Sequence, residues 1–139
     1  MMNDDELRQA LSILDVYKSQ LEALAGQGQI LQMSLEETLR ARETMKAMLI
    51  AKEGDELLIP VGASSFVPAK ASGSGKVIVG IGNRMSVEKD LDDAVKFMDE
   101  GVNEISEALK KVGESINEME TNARNLSLAV QQEYQRRQQ

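Results

Sequence analysis

The sequence predicts a mainly α-helical protein with a small β insert, in which an antiparallel two-helix coiled-coil hairpin is joined by two β-hairpins. Two observations predict this class. Apolar residues recur every seven positions near both ends of the chain, which is typical of helices that pack along a seam. Between these repeats, short apolar runs alternate with glycine-containing breaks, which is typical of strands and turns. We expect one domain over residues 1–139.

The first helix is predicted over residues 4–53. Its two heptad series are mostly apolar: Leu7, Leu14, Leu21, Gly28, Leu35, Arg42 and Leu49 form one, and Ala10, Tyr17, Leu24, Leu31, Thr38 and Met45 form the other. No proline interrupts this stretch, and Gly54 supplies a stop signal just beyond it.

The second helix is predicted over residues 90–135, and every member of its two heptad series is apolar. The series are Val95, Val102, Leu109, Ile116, Ala123 and Val130, and Leu91, Met98, Ile105, Val112, Met119 and Leu126. Asp90 is the predicted N-cap, with Asp93 in the place of the acidic partner of a capping box. Residues 136–139 have no apolar anchor, so we expect this tail to fray.

Helix length favours the hairpin arrangement. At 1.5 Å per residue each helix is roughly 70 Å long, which does not fit inside a globule of this chain length. Two helices of matched length joined by one insert therefore pack best as an antiparallel pair with both chain termini at the same end.

The insert, residues 54–88, is predicted to contain four strands, at residues 57–61, 66–69, 76–81 and 84–88. Gly82 and Asn83 tolerate positive φ, so they favour a tight turn between the last two strands. Pro60 and Pro68 have no N–H to donate, so their strands are expected to lie at sheet edges or to pair on one side there.

Sheets this small are marginal in water unless something packs on them. We therefore expect the apolar strands to pair with strands of other chains, so that the protein self-assembles or co-assembles through its β region. The candidate assembly residues are Leu57, Leu58, Ile59, Val61, Phe66, Val67, Val77, Ile78, Val79, Ile81, Met85 and Val87. The alternative is that the strands cover the open end of their own coiled coil.

Composition excludes several kinds of chemistry. The chain has no Cys and no His, which rules out zinc fingers, disulfides, thiol nucleophiles and imidazole bases. Its net charge of −7 argues against nucleic acid as a partner. The acidic start MMNDDELRQ is unlike a signal peptide, and no apolar run approaches the ~20 residues of a membrane span. We expect a soluble cytoplasmic protein that does not bind membranes.

The stretch ASGSGKVIVGIG, residues 71–82, is similar to a nucleotide-binding loop at first sight. A Walker A loop, however, would need glycine at Lys70 and a hydroxyl at Val77, and it would lead into a helix instead of a strand. A dinucleotide-binding turn would need a third glycine at Met85. We interpret ASGSG as the connection between two hairpins and KVIVGI as an assembly strand.

Other catalytic chemistry is equally poorly supported. Asp90, Asp92 and Asp93 are acidic, but Ala94 and Val95 occupy places where a calcium loop needs a ligand and a glycine. The other carboxylates are spread along predicted solvated helix faces, and no usual base is present to activate a hydroxyl. We expect no enzyme activity, no metal and no cofactor.

The order of elements and one segment carry a resemblance. The segment LLIPVGASSFVPAKASGSGKVIVGIGNRMSVEKDLDDAVKFM combines an apolar-Pro-apolar-Gly pattern, a valine-rich strand with glycine, and Val-Glu-Lys opening the second helix. In these features the chain resembles the α-class subunits of the prefoldin family, and the resemblance covers nearly its whole length. The resemblance implies a heterohexamer with two α and four β subunits, whose hairpins form a central β-barrel platform.

The resemblance further implies a co-chaperone that captures unfolded polypeptides at the coiled-coil tips without ATP and passes them to a group II chaperonin. Apolar residues near the free helix ends exceed what one seam needs, so they are the candidate client-binding residues. They are Leu7, Leu11, Ile13, Leu14, Leu126, Leu128, Ala129, Val130 and Tyr134. Alternatively these residues extend the seam or contact a neighbouring arm, and the chain is a non-enzymatic coiled-coil scaffold or tether that assembles through its β insert.

Three glycines within the predicted helices have two open explanations. Gly26 and Gly28 lie roughly opposite Gly113 in an antiparallel pair, and each costs about 1 kcal/mol relative to alanine. They form either a compliant zone that lets the tips spread around clients, or a site of close helix–helix packing.

Overall fold

The computed structural model describes all residues, Met1–Gln139. The elements follow in the order α1 (Asp4–Ile50), β1 (Glu56–Gly62), β2 (Ser65–Lys70), β3 (Lys76–Gly82), β4 (Met85–Asp90) and α2 (Leu91–Arg137). The predicted fold class, two long helices flanking two β-hairpins, is confirmed. The chain divides into two units, one formed by Met1–Ser34 with Ile105–Gln139 and the other by Leu35–Glu104.

In the first unit, the beginning of α1 packs antiparallel against the end of α2. Leu7, Ala10 and Val130 form a buried cluster, against which Met2, Leu14 and Leu126 pack. Further along the same seam, a Cβ added to Gly28 would lie 3.6 Å from Cγ1 of Val112, an ordinary van der Waals distance. The heptad series of the two helices therefore meet as expected, in spite of the glycine in the first of them.

In the second unit, the two helices are held by apolar contact and by one ion pair across the seam. Ala94 is fully buried, and Leu91 is nearly so. Arg42, the charged member of an otherwise mostly apolar series, donates from Nη1 to Oδ1 of Asp99 at 3.2 Å. This pair explains why the series tolerates an arginine, because the partner carboxylate lies on the facing helix.

Both ends of α1 have a clear local cause. Asn3 and Glu6 form a capping box, in which the Asn3 side chain accepts from the N–H of Glu6 at 2.8 Å and Glu6 accepts from the N–H of Asn3 at 3.0 Å. The helix ends at Ile50, before the expected Glu53, because the N–H of Lys52 binds the Asp55 carboxylate at 2.8 Å in a tight turn.

Two expectations about α2 require correction. Asp90 precedes the first helical residue, but its carboxylate accepts from Lys76 Nζ at 2.5 Å, so it binds the neighbouring strand and not the helix N-terminus. The tail expected to fray over residues 136–139 is helical as far as Arg137. Arg136 and Arg137 both donate to Glu133, and these ion pairs replace the missing apolar anchor.

The four strands form two separate antiparallel hairpins, β1–β2 and β3–β4. Each hairpin closes with a two-residue turn of positive φ, at Ala63 and Ser64 (50° and 56°) and at Asn83 and Arg84 (51° and 60°). Arg84 is thus a turn residue, although the sequence predicted it as the first residue of a strand. Positive φ at both central positions is the geometry that matches the twist of paired strands.

The two hairpins share one design. In the first, Pro60 pairs with Phe66 and Gly62 with Ser65, and in the second, Gly80 pairs with Ser86 and Gly82 with Met85. Each register contains a bulge immediately before the turn, between Pro60 and Gly62 and between Gly80 and Gly82. Each residue of the first hairpin therefore has an equivalent residue in the second.

Candidate functional site

The end of α2 holds the N-terminus of the chain through one buried carboxylate. Glu133 is the buried charged residue of the structure. It accepts hydrogen bonds from Nε of Arg137 at 2.9 Å, from Arg136, and from the backbone N–H of Met2 at 3.3 Å. Arg137 also donates to Asp4 at 2.8 Å and to the carbonyl of Met2 at 3.0 Å. The residues before α1 are therefore fastened to the last turns of α2.

These donors change the acidity of the carboxylate. The hydrogen bonds from Arg136 and Arg137, with a smaller contribution from the Met2 N–H, lower the pKa of Glu133 to about 2. Glu133 is thus ionised at neutral pH, and its charge is balanced by two guanidinium groups.

The candidate client-binding residues divide into two groups. Leu7 and Val130 are buried in the seam, and Leu14 and Leu126 pack against them and are partly buried, so these four side chains mainly serve the seam. Four others are exposed on the outside of the same helix ends: Leu11 and Ile13 at 39% each, Leu128 at 50% and Tyr134 at 45%. Ala129 is half-buried. We call the four exposed residues the helix-end surface.

Sequence reasoning missed one exposed residue near this surface and two further along the same helix. Val16 is exposed about one turn beyond Ile13. Ile30 and Met33 are each 69% exposed on α1, well away from the helix ends. All three residues could have been found in the sequence as apolar residues of α1 that belong to neither heptad series. Their exposure is greater than that of any residue of the helix-end surface.

The candidate assembly residues are unequally covered in the two hairpins. Val79 of the second hairpin is 2% exposed, whereas Ile59 at the equivalent place in the first hairpin is 45% exposed. Leu57, Val77 and Val87 are half-buried. The remaining candidates are all exposed, namely Leu58, Val61, Phe66, Val67, Ile78, Ile81 and Met85. Both hairpins thus leave apolar side chains and unpaired strand edges accessible to another chain.

The glycine-rich connection between the hairpins satisfies its own polar groups. Ala71 is buried and exchanges backbone hydrogen bonds with Gly54 and Asp55, both at 2.9 Å. The hydroxyls of Ser72 and Ser74 each accept a backbone N–H two residues further on, at 3.3 Å. These groups hold the turn and do not converge on a ligand.

The lysine of this connection is also engaged. Lys76 donates to Asp90, and this hydrogen bond raises the pKa of the lysine above its ordinary value. The cleft beside the loop, of about 580 Å³, is lined by Asp90, Asp92 and Asp93 as well as by Lys76 and Lys96. Three carboxylates against two ammonium groups disfavour a phosphate at this place. The geometry supports the interpretation of ASGSG as a connection.

No group of three or more Asp or Glu side chains is arranged to hold a metal ion. None of the helices has the length and apolar character needed to cross a membrane.

The chain is similar to known proteins in sequence and in fold. The model of the family "Prefoldin subunit" matches residues 17–136. Prefoldin subunit alpha of Methanococcus maripaludis strain C7 is 32% identical over 102 residues, which cover 73% of this chain and 69% of that protein. A chain of filamentous PFD from Methanocaldococcus jannaschii, solved by cryo-EM, has a TM-score of 0.69 at 23% identity and covers 83% of this chain and 95% of that one.

A second solved structure is similar at lower identity. The prefoldin beta subunit from Thermococcus strain KS-1 has a TM-score of 0.61 at 17% identity, over 95% of this chain and 96% of that one. Identities of this order show a shared fold of two helices and intervening hairpins.

Proposed function

The chain belongs to the prefoldin family of co-chaperone subunits, and we propose that it acts as an α subunit that captures unfolded polypeptides at its helix ends. Capture requires no ATP, and the captured polypeptide passes to a group II chaperonin. The complex works in the cytoplasm and performs no catalysis.

The helix-end surface is the observation that carries this proposal. Leu11, Ile13, Leu128 and Tyr134 are large apolar side chains exposed close to the ends of both helices. Full burial of a fully exposed side chain of this kind contributes about 1.5–3 kcal/mol, and because these are 39–50% exposed, each would contribute up to roughly half of that, with little demand on the partner's sequence. Several together suit a low-specificity contact with the apolar segments that unfolded chains expose.

The glycine-rich connection between the hairpins supports the proposal that capture requires no ATP. The glycine-rich loop is occupied by its own hydrogen bonds, and Lys76 is paired with Asp90. Binding and release of a client then depend only on the strength of apolar contact and on competition from the chaperonin.

The hairpins supply the means of assembly. Each strand has one neighbour within the chain, so every hairpin has two open edges. Open edges with apolar side chains favour strand addition by another chain. We propose that they join β subunits, with two α and four β subunits closing a β-barrel platform.

The proposal is tested with the complex formed from this chain and the prefoldin β subunit of the same organism. A chemically denatured protein is diluted into buffer with the complex, and light scattering is followed with and without ATP. We expect suppressed aggregation in both conditions, and release of the client when a group II chaperonin is added. An assembled complex that leaves aggregation unchanged would favour a passive scaffold or tether.

A further inference from the structure

If the chain assembles with other prefoldin subunits as proposed, the outer edges of its two hairpins are where their strands would pair. In an antiparallel pair, residues alternate between positions that bond to the partner strand and positions whose N–H and C=O point away from it. The terminal backbone hydrogen bond of each hairpin shows which of its residue pairs are hydrogen-bonded to each other. Ala71 donates to the carbonyl of Asp55, and Leu91 donates to the carbonyl of Gly75, both at 2.9 Å.

Counting inward from these bonds identifies the outward-pointing pairs. In the first hairpin they are Glu56 with Lys70, Leu58 with Pro68 and Pro60 with Phe66. In the second they are Lys76 with Asp90, Ile78 with Glu88 and Gly80 with Ser86. All twelve residues are exposed. Their backbone groups are the ones available to a strand from another chain.

The two hairpins differ in the donors they offer at these positions. Pro60 removes one outward N–H from β1, and Pro68 removes one from β2, so both edges of the first hairpin are interrupted. The equivalent residues of the second hairpin, Gly80 and Glu88, keep their N–H groups. The edges of β3 and β4 have no such gap.

The side chains at the outward-pointing pairs also differ, and here the first hairpin has more apolar groups than the second. In the first hairpin Leu58 faces Pro68 and Pro60 faces Phe66, which gives apolar pairs. In the second hairpin Ile78 faces Glu88 and Gly80 faces Ser86, so three of these four side chains are polar or absent. One hairpin is therefore rich in apolar side chains and poor in edge donors, and the other is the reverse.

We propose a division of labour in which the β3–β4 hairpin is the strand-addition surface. Its edges take a β-strand of another prefoldin subunit through a continuous backbone ladder. The β1–β2 hairpin closes the barrel with a backbone ladder that Pro60 and Pro68 interrupt, so it is held in the assembly chiefly by burying the apolar side chains of its exposed pairs.

Exchanging residues between equivalent positions tests the proposal with little structural disturbance. A Cβ at Gly80 would meet nothing within 4 Å, so the site has room. The first hairpin already carries proline at both places and keeps the same register. Gly80→Pro and Glu88→Pro each remove one outward donor from β3 and β4, and Gly80→Ala and Glu88→Ala are the matched controls.

The readout is the dissociation constant for assembly with the β subunit, with circular dichroism as the check that each variant is folded. We expect each proline to weaken assembly about tenfold, because a lost bond leaves a partner carbonyl unsatisfied. The alanine controls, and Pro60→Ala and Pro68→Ala in the first hairpin, should assemble at least as well as the wild type.

A measurement on the unaltered complex provides an independent check. Upon assembly, hydrogen exchange at the amides of Gly80 and Glu88 should slow about tenfold more than at the outward amides of Leu58 and Phe66. Equal protection of both hairpins, or a folded Gly80→Pro variant that assembles like the wild type, would overturn the division of labour alone. A wild-type chain that forms no complex would overturn the proposed function as well.

Discussion

The carboxylate of Glu133, near the end of α2, accepts a hydrogen bond at 3.3 Å from the backbone N–H of Met2, which lies just before the start of α1. Because the same carboxylate binds Arg136 and Arg137, the start of the chain and the last turns of α2 form one connected network. The seam beneath it contains Leu7 and Val130. In the proposed function, a client would thus contact the exposed side chains around this closed helix end and not an open seam.

The network predicts a pH dependence. The pKa of Glu133 is lowered to about 2 in the folded chain, below the ~4.3 of an unfolded glutamate. A depressed folded pKa adds stability above the unfolded value, and this stability is lost as the pH falls from about 4.3 towards 2. Thermal unfolding should show this loss in the wild type. The Glu133→Gln variant should have a lower melting temperature than the wild type at neutral pH, and this temperature should fall less as the pH decreases. The exposed Glu118→Gln variant should have the same pH dependence as the wild type.

The mid-helix glycines predict an increase in stability. A Cβ at Gly26 or Gly113 would meet nothing within 4 Å, so close helix packing does not require glycine at either place. Gly26→Ala and Gly113→Ala should each stabilise the chain by about 1 kcal/mol in urea unfolding, because alanine loses less backbone entropy in a helix. Lower stability in both variants would contradict this account of the two positions.

The same glycines predict an effect on clients if they form a compliant zone. The triple variant Gly26→Ala, Gly28→Ala and Gly113→Ala should suppress aggregation of a narrower range of client sizes than the wild-type complex does. The measurement uses denatured proteins of increasing length at one complex concentration. An unchanged range of clients, in a variant that assembles normally, would exclude compliance as the reason for these glycines.

In the glycine-rich connection, we expect alanine substitutions at Gly73 and Gly75 to lower stability by different amounts. Gly73 and Gly75 have φ of 72° and 70°, so alanine at either place costs roughly 1–2 kcal/mol of backbone strain. A Cβ at Gly73 would also lie 2.8 Å from the Cβ of Glu53, whereas one at Gly75 would meet nothing. Gly73→Ala should therefore lower the melting temperature more than Gly75→Ala. Equal melting temperatures would mean that Glu53 moves aside freely.

The sequence was sufficient for the architecture because seven-residue periodicity and turn chemistry are local signals. The heptads of α1 and α2 and the turn near Asn83 could be identified in this way. The start of α2 and the state of its tail were not predicted correctly. Asp90 had a better partner in Lys76, and the tail was held by Glu133. The first outcome depends on a residue in the neighbouring strand, which no local pattern identifies, whereas the pairs of Glu133 with Arg136 and Arg137 have the i,i+3 and i,i+4 spacing of a helix and could have been found in the sequence.

For the candidate sites, the sequence predicted which apolar residues lie in each region but not which of their side chains are exposed. The sequence identified an excess of apolar residues at the helix ends, but burial separates Leu7 and Val130 from Leu11 and Leu128. Which of these side chains faces the seam depends on how two helices pack, and a one-residue error in the seam moves a side chain to the opposite surface. The different edges of the two hairpins likewise became visible only from the register.

Capture of a denatured protein by two matched variants tests the central claim most directly. One variant replaces Leu11, Ile13, Leu128 and Tyr134 with serine. The control replaces Ile30 and Met33, which are more exposed but lie away from the helix ends. Each is assembled with β subunits, and suppression of aggregation is measured without ATP. The account predicts that the helix-end variant loses most of the suppression and that the control keeps it. Equal suppression by both variants would contradict capture at the helix ends.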